Sequence, residues 1–566
     1  MVVIAIILGG TSWLRAQTPA NLENGFKHWG TYEGSSVDTV NSLNGNQMLH
    51  TPLLPDYPQR GGKLTMQSFL YQTSKSWQVS CVVALNNEVT CQWEPGRAGV
   101  ELRQSEGLTI QRTLQQTGSG TGLNFFKAFG YTIQDATGAM HQVVGSGPLD
   151  ATGESTKFDS IDTSGYHMEM SNPDSFGVMN TATVTDRHGK QYVANSWIGG
   201  TDTGPTMCPQ LPGNHLAPVQ VDGGFINPII DDAPLGQQDC QQATFAEQIT
   251  DSNGNFISNP QAGPTDTLGR SFAFFRGGTP TTDYSGCVSS HTISNAVTQS
   301  YTAPDGNTHQ IKLCYGNIPI ATAFNVSGIV ELTGATLQQL VTVVLGDGTK
   351  WTFDYDGYGE TTLVGLPTGG SIAYTWTTIA FPSCAPFDGG VSRAVFTRTL
   401  TDNNGHSSTW HYNWGTVVSG VISNIVTDPL NNDTVHVFTA QEGVGTCSFY
   451  ETQTRSYQGT GGARRLLKQV DTAYSKTPFN IETTAGTSLG NVVPTSIQTT
   501  IYPSGKVSLT TKTYAPPAVT GGPISGDVAT EKVYDWGQSG QNQPGALLRE
   551  TDTVYQWQKN SAYLTA

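Results

Sequence analysis

Apolar and polar residues alternate along much of this chain, and turn residues interrupt the alternation at short intervals. The clearest stretch is Leu345–Trp376, where one strand face carries Trp351, Phe353 and Tyr355 while the residues between them are polar. A period of two with aromatic and β-branched residues predicts strands, and Asp-Gly or Gly-Gly between such runs predicts hairpin turns. The pattern therefore predicts an all-β protein built from antiparallel hairpins.

A second turn pattern, Thr-Asp-x-x-Gly, recurs through the middle of the chain. Copies begin at Thr185, Thr250 and Thr401, and a looser copy begins at Gln134. The Asp accepts hydrogen bonds from the backbone ahead of it, and the Gly takes the positive φ that closes a hairpin. We interpret these copies as structural turns. Long helical patterns are almost absent; Thr336–Val344 fits one short helix, but Leu340–Val344 suits a strand equally well.

The C-terminal part contains a longer internal repeat. Leu466–Tyr474 and Leu547–Tyr555 both read Leu-Leu-basic-x-x-Asp-Thr-x-Tyr. Repeated units of this kind bury their faces against neighbouring units. The repeat therefore predicts an array of similar hairpins.

Composition narrows the class of protein. The chain has 65 glycines in 566 residues and only 13 % charged residues, which is typical of an extracellular all-β protein. The net charge of −16 repels nucleic acid and anionic membranes, and Lys and Arg form no stripe interleaved with aromatic residues. We therefore exclude a nucleic-acid partner.

The N-terminus predicts export. Val2–Leu8 is an apolar run, and small residues follow it, as in the h-region and cleavage site of a secretory signal, although a basic n-region is missing. Cleavage after Ala16 or after Ala20 fits equally well. The run is too short for a permanent membrane anchor, so we expect no integral membrane span. The prediction is bacterial-type export to the medium or the cell surface.

At this length the chain exceeds one ordinary domain. We predict four parts: a signal peptide at 1–20, an N-terminal β segment at 21–130, a β region at 131–335 and a repeat β-sheet at 336–566. The second β region contains a Pro/Gly-rich insertion at 208–283, which is where a binding loop is expected.

The cysteine count is even, which favours disulfides in an exported chain. Cys-x-x-Cys pairs, which would indicate zinc or redox chemistry, are lacking. Cys81 and Cys91 flank a predicted hairpin and are the easiest pair to propose, and Cys208 with Cys240 could close the insertion. Buried free thiols are the alternative. The eight residues are Cys81, Cys91, Cys208, Cys240, Cys287, Cys314, Cys384 and Cys447.

The sequence patterns that could indicate catalytic residues are weakly supported. Ser488 lies in a Gly-x-Ser-x-Gly pattern, but a strand-like run follows it where a nucleophile elbow needs a helix. The adjacent Asp231 and Asp232 fit a solvated loop better than a calcium site or a glycosidase pair. Three histidines in or beside neighbouring hairpins do not suit a shared metal: His406, His411 and His436. We expect no enzymatic activity, no cofactor and no metal.

Aromatic residues cluster in the repeat region, where rings can fill the core or stack on sugars. Core packing is the first interpretation, and contact with a cell-surface glycan is the second. The residues proposed for glycan contact are Trp351, Tyr355, Trp376, Trp410, Tyr412 and Trp414.

Leu345–Trp376 resembles the YD repeat of the Rhs family, because Tyr-Asp-x-x-Gly is followed by a Gly turn and an aromatic-Thr-aromatic strand. The turns and strands within Gly25–Trp77 are similar to the first segment of Rhs-like and teneurin-like shell proteins. The resemblance implies an antiparallel hairpin-repeat sheet that curves into a full or partial cocoon. Such shells typically enclose a variable C-terminal toxin, and YD repeats have been associated with carbohydrate binding.

The chain departs from the family because the Asp-Pro-x-Gly-rich core motif and a toxin domain are absent. We therefore expect an open, curved sheet with an exposed edge, as the N-terminal part of a shell. The expected function is a non-catalytic, secreted or cell-surface scaffold whose partner is a downstream shell or toxin segment. The alternatives are a secreted carbohydrate-binding adhesin and a polysaccharide-active enzyme, which needs two carboxylates roughly 5–10 Å apart.

Overall fold

The computed structural model confirms an all-β fold of large antiparallel sheets. Within the described ranges, no helix has the length and apolar character that a membrane span requires. The predicted signal peptide lies outside them. The structure describes residues 25–555 and residue 558, except 28, 54–56, 59–63, 84–88, 96–98, 105–106, 121–122, 146–155, 174–178, 198–218, 222–223, 227–238, 259–263, 271–277, 303–306, 382–389, 442–448, 481–487 and 517–525.

The first strands form a small antiparallel sheet, with a turn at Asn44-Gly45-Asn46 connecting its second and third strands. The strands are β1 (Tyr32–Gly34), β2 (Asp38–Asn41), β3 (Gln47–Pro52), β4 (Tyr57–Pro58), β5 (Thr65–Met66), β6 (Ser68–Thr73), β7 (Trp77–Val83), β8 (Val89–Pro95) and β9 (Glu101–Gln104). β1, β2, β3, β6 and β9 pair in that order and are called the N-terminal sheet, while β4 pairs with β5 and β7 with β8.

The next strands form a sheet of 11 strands, called the middle sheet, in the order β19-β10-β11-β12-β13-β14-β15-β16-β20-β21-β22. β17 and β18 pair separately. The strands are β10 (Thr109–Gly120), β11 (Leu123–Gln134), β12 (Met140–Gly145), β13 (Lys157–Ser160), β14 (His167–Pro173), β15 (Met179–Thr185), β16 (Gln191–Ala194), β17 (Val219–Val221), β18 (Gly224–Ile226), β19 (Asp239–Phe245), β20 (Gln248–Thr250), β21 (Phe256–Ser258) and β22 (Thr265–Asp266).

The remaining strands, apart from β26, pair in chain order in a sheet of 17 strands, called the repeat sheet. The strands are β23 (Thr279–Thr281), β24 (Thr292–Thr302), β25 (Thr308–Ile320), β26 (Ile329–Val330), β27 (Ala335–Val344), β28 (Lys350–Tyr355), β29 (Thr361–Gly365), β30 (Ser371–Ala380), β31 (Val391–Thr401), β32 (Ser407–Asn413), β33 (Val421–Thr427), β34 (Asp433–Ala440), β35 (Phe449–Gln458), β36 (Arg465–Asn480), β37 (Ser488–Ile501), β38 (Lys506–Tyr514), β39 (Val528–Tyr534) and β40 (Leu547–Asp552).

Two details complete this sheet. A 3-10 turn, Gly461–Ala463, precedes β36, and β26 pairs in parallel with β8 of the N-terminal part. The stretch that fitted a helix or a strand is the strand β27. The domain boundaries at 130 and 335 stay predictions.

The Thr-Asp-x-x-Gly copies form the predicted hairpin turns. In the turn between β31 and β32, Asp402 Oδ1 accepts hydrogen bonds from the backbone N–H groups of Asn404 and His406 at 2.8 and 2.9 Å. Gly405 has φ +85°, and Gly189 of the turn between β15 and β16 has φ +78°. Such turns draw all their hydrogen bonds from within five residues, so each hairpin closes locally.

The main core lies between the N-terminal sheet and the repeat sheet. Val40 and Leu49 from β2 and β3 belong to the same buried cluster as Phe353 and Tyr374 from the repeat sheet. The middle sheet has a separate apolar core that includes Ile110, Ile133, Met168, Val184 and Ile249. The repeat sheet therefore buries its inner face against the first segment of the chain.

Among the described residues, three cysteines are disulfide-bonded: Cys91, Cys287 and Cys314. Cys287 is bonded to Cys314 of β25, a pairing that the sequence left open. Cys91 is disulfide-bonded, and the backbone register of β7 and β8 places Cys81 opposite it, so the pairing of these two cysteines stays a prediction. The predicted pairing of Cys208 with Cys240 rests on Cys208, which lies outside the described residues, as do Cys384 and Cys447.

Candidate functional site

Buried polar contacts join the N-terminal segment to the repeat sheet, and together they are called the docking seam. Its first contact links Asp38 of β2 to Arg398 of β31, both almost completely buried. Arg398 donates from Nε and Nη2 to the two carboxylate oxygens of Asp38, each at 2.6 Å. The Tyr374 hydroxyl donates to Asp38 Oδ2 at 2.6 Å, and the guanidinium lies 4.9 Å from the Trp410 ring centroid. This bidentate geometry is the strongest form of a carboxylate–guanidinium pair.

Electrostatics agree with this arrangement. Burial lowers the pKa of Arg398, but hydrogen bonds to Asp38 and the charge of Asp38 outweigh burial and raise it above its usual value. Burial raises the pKa of the Tyr374 phenol, and the Asp38 carboxylate raises it further, so Tyr374 stays a neutral donor.

The second contact centres on Lys75, which follows β6. Its ammonium group donates to the carbonyl oxygens of Asn44 and Arg393 and to the Ser392 hydroxyl, so its three protons meet three acceptors. Burial lowers the pKa of Lys75 to about 7, against the opposing charge of nearby Glu360. The three acceptors favour the ammonium form and so oppose the effect of burial on this pKa.

Glu360 is the acidic side chain of this contact. Its Oε2 accepts a hydrogen bond from Arg393 Nε at 3.0 Å, and its side chain is fully buried. Burial raises the pKa of Glu360 to about 8, and the charges of Arg393 and Lys75 oppose that rise. The group therefore titrates near neutrality within a desolvated cluster.

The third contact is a buried histidine between two carboxylates. His436 of β34 places Nδ1 2.6 Å from Glu451 Oε1 and Nε2 2.9 Å from Glu33 Oε1 of β1. Because both ring nitrogens face acceptors, the imidazolium form fits. Burial lowers the pKa of His436, but the bonds to Glu33 and Glu451 outweigh burial and raise it to about 9. The Thr31 hydroxyl donates to the other Glu451 oxygen at 2.7 Å.

The fourth contact is the turn at Gly45. Its carbonyl oxygen accepts a hydrogen bond from the Val395 N–H at 3.1 Å. Asn424 of β33 donates from its side-chain amide to the carbonyl oxygens of Ser42 and Leu43 at 2.8 and 3.0 Å. A Cβ at position 45 would lie 2.3 Å from the Ala394 Cβ, so the turn inserts against the repeat sheet only as glycine.

The residues proposed for glycan contact lie in or against the main core: Trp351, Tyr355, Trp376, Trp410, Tyr412 and Trp414. Trp351, Tyr355 and Tyr412 are buried. The indole N–H groups of Trp376 and Trp414 donate to backbone carbonyls at 3.0 and 2.7 Å. Their burial favours the core interpretation over sugar stacking.

Other predicted candidates lie apart from the seam. His406 pairs with Asp402 in an exposed turn, and His411 is exposed on β32. His436 lies in the seam, where its partners are carboxylates and not these two histidines. The backbone after Ser488 continues as β37, where an elbow would require a helix. Asp231 and Asp232 lie outside the described residues.

Apart from His436, which was considered only as a metal ligand, the seam residues were not found from the sequence. One signal was available: Arg398 lies two residues before Leu400, on the strand face that alternation predicts to point inward. A charged residue on such a face needs a buried partner. Nothing in the sequence pattern indicated that Asp38 was that partner.

A second buried histidine lies in the middle sheet. His141 places Nδ1 2.6 Å from Asp162 Oδ2 and Nε2 3.3 Å from Asp135 Oδ2. Burial lowers the pKa of His141, and the charge of Asp162 with the bonds to both carboxylates raises it to about 9. Lys27 of the N-terminal segment donates to the Met140 carbonyl beside it.

Comparisons with known proteins do not establish a family for the chain. No family model matches the chain, and no curated protein matches it. Among solved structures, the chain is similar to the crystal structure of TcdB2-TccC3 at 8 % identity and a TM-score of 0.40, over 96 % of this chain and 46 % of that one. It is also similar to the TcdB2-TccC3-TEV structure at 8 % identity and a TM-score of 0.25, over 97 % and 32 %. The chain spans less than half of either structure, and likenesses this small establish no family.

Proposed function

We propose that this chain is a non-catalytic β-repeat scaffold that acts as the N-terminal part of an Rhs-like shell. The observation that carries the proposal is the docking seam, in which buried charges of the N-terminal segment meet partners in the repeat sheet. Buried ion pairs of this kind fix the relative position of two elements, because either partner alone would be left desolvated. The likeness of Leu345–Trp376 to YD repeats supports the same assignment.

The proposal includes export to the medium or the cell surface. The apolar run Val2–Leu8 and the glycine-rich composition with few charged residues support it. The Cys287–Cys314 disulfide also supports it, since such bonds persist in oxidising compartments. The proposed partner is a downstream shell or toxin segment, as the YD resemblance implies.

Hydrogen exchange of the full chain tests the scaffold role. We expect backbone amides of 39–48 in the N-terminal sheet to exchange as slowly as those of 394–400 in the repeat sheet, because one seam joins them. In Arg398→Met both segments should exchange faster, whereas Arg549→Met, an exposed arginine of the same sheet, should change neither. Fast exchange of 39–48 in the unaltered chain would contradict the proposal.

The non-catalytic part is tested separately. The purified chain is incubated with chitin, cellulose, pectin and peptidoglycan, and released reducing ends are measured against heat-treated protein. We expect no difference. Sugar release that persists through further purification and falls with a carboxylate substitution would favour the enzyme alternative instead.

A further inference from the structure

The last strand of the repeat sheet has an exposed edge. Every residue of β40 is exposed, and the strand pairs with β39 on one side. Among the described residues no strand pairs with its other side. Two apolar side chains lie on it, with Leu547 at 45 % and Leu548 at 63 % exposure. An exposed edge with apolar side chains is a surface on which another strand can pair.

The internal repeat identifies the equivalent of β40 inside the sheet. Leu466 of β36 pairs with Tyr457, and Leu547 of β40 pairs with Tyr534. In both hairpins the register shifts after that pair, and the ladder resumes two residues later at Lys468 and at Arg549. Leu467 and Leu548 therefore occupy the same bulge, and β36 and β40 are copies of one structural unit.

β36, however, is covered on its second side by β37. Gln469 and Asp471 pair with Thr500 and Gln498 there, and the Leu467 carbonyl accepts a hydrogen bond from the Tyr502 N–H at 2.8 Å. Leu467 is 38 % exposed, against 63 % for its equivalent Leu548. The strand that covers β36 therefore removes part of this leucine from water.

Backbone directions on β40 match those on β36. The Thr553 N–H donates to the Ala529 carbonyl on the side of β39. Because backbone groups alternate between the two sides of a strand, those of Glu550 and Asp552 face the open edge. These residues correspond to Gln469 and Asp471, whose backbone faces β37.

A second copy of β40 is a poor occupant. A two-fold axis between antiparallel strands places one residue opposite its own copy. Centring on Arg549 or Glu550 puts like charges opposite each other, and centring on Thr551 puts Glu550 opposite Asp552. Directly opposed like charges destabilise strand pairing. Self-pairing in the three registers centred on the middle of β40 is therefore disfavoured, whereas an uncharged strand such as Ile497–Ile501 of β37 avoids these repulsions.

We propose that the open edge of β40 binds an extended segment of a partner protein as an antiparallel strand, in the register that β37 uses on β36. By that register the partner places Ile or Thr opposite Arg549, Thr551 and Thr553, and uncharged polar residues opposite Glu550 and Asp552. This inference rests on the proposed scaffold role and names the surface by which the scaffold holds its partner.

The probe is a peptide copy of residues 495–502, Thr-Ser-Ile-Gln-Thr-Thr-Ile-Tyr, labelled at its N-terminus and titrated with the full chain by fluorescence anisotropy. We expect saturable binding. Glu550→Pro removes an N–H that faces the partner and should weaken binding about tenfold or more. Glu550→Gln keeps that N–H and should bind like the unaltered chain.

Matched peptides keep the test independent of how the variants fold. N-methylation at the positions of Gln498 and Thr500 blocks N–H groups that face the edge and should abolish binding. N-methylation at the position of Thr499 blocks a group on the far side and should leave binding intact. Equal binding of both peptides, absence of saturable binding, or β40-dependent dimers in sedimentation would overturn the proposal. If hydrogen exchange still shows an intact docking seam, such a failure concerns this edge and leaves the scaffold role standing.

Discussion

Asp38 and Arg398 are separated by 360 residues in the chain, yet their side chains form two hydrogen bonds of 2.6 Å. One lies in the N-terminal sheet and the other in the repeat sheet. Because both are almost fully buried, neither can exchange its partner for water without separating the two sheets.

Removing one member of this pair should be strongly destabilising. Asp38→Ala leaves the Arg398 guanidinium buried without its carboxylate, and we expect a loss of about 3–5 kcal/mol in the free energy of unfolding. The measurement is the midpoint of urea unfolding followed by tryptophan fluorescence.

Two controls accompany this test. Arg549→Met, at an exposed ion pair, should change the free energy by less than about 0.5 kcal/mol. The double variant Asp38→Leu with Arg398→Met should recover much of the loss, because paired apolar groups leave no buried charge. A double variant as unstable as Asp38→Ala would contradict this explanation.

Stability should fall between pH 6.5 and about 9. The pKa of His436 and of His141 is raised from 6.5 to about 9 in the fold. A group whose pKa is raised by folding contributes its full stabilisation at pH values below its pKa in the unfolded state. That contribution is lost as the pH rises through its pKa in the folded state. Each histidine contributes up to about 3 kcal/mol by this argument.

The pH dependence can be assigned by substitution. His436→Gln should flatten part of the decline in urea midpoint between pH 6.5 and 9, because the neutral amide does not titrate. His406→Gln, in an exposed turn, should leave the slope unchanged. An unaltered slope in His436→Gln would show that the histidine does not carry the effect.

Substitutions at Gly45 and Gly405 distinguish the free-energy cost of backbone conformation from that of packing. Both have positive φ, but a Cβ at Gly405 meets nothing within 4 Å, whereas one at Gly45 would meet Ala394 at 2.3 Å. Gly405→Ala should therefore cost about 1–2 kcal/mol. Gly45→Ala should cost clearly more in the same urea measurement, and equal costs would show that the turn does not insert against the repeat sheet.

The Cys287–Cys314 bond closes a loop of 27 residues. Chain entropy predicts that its loss costs about 3 kcal/mol. The double variant Cys287→Ser with Cys314→Ser should unfold at lower urea than the unaltered chain under oxidising conditions. Under full reduction the two should converge, because neither chain then contains a disulfide. A double variant as stable as the oxidised chain would contradict the prediction.

Much of the local structure could be predicted from the sequence. The turn at Asp402–Gly405 takes its hydrogen bonds from residues within four positions, so the pattern Thr-Asp-x-x-Gly is sufficient to specify it. The aromatic face of Trp351, Phe353 and Tyr355 was likewise visible in the alternation. Alternation shows that one face is covered, but it does not show by what, which is why the rings fitted both a core and a sugar site.

Only the tertiary structure decided what covers the repeat sheet. His436 could be recognised as a histidine on a strand, but its pKa depends on Glu33 of β1, 403 residues away. Hydrogen bonds within a turn are fixed by short-range geometry that residue types encode. Partners in different sheets are brought together by strand order and by burial summed over the whole core, and these quantities have no signature in any single stretch of the sequence.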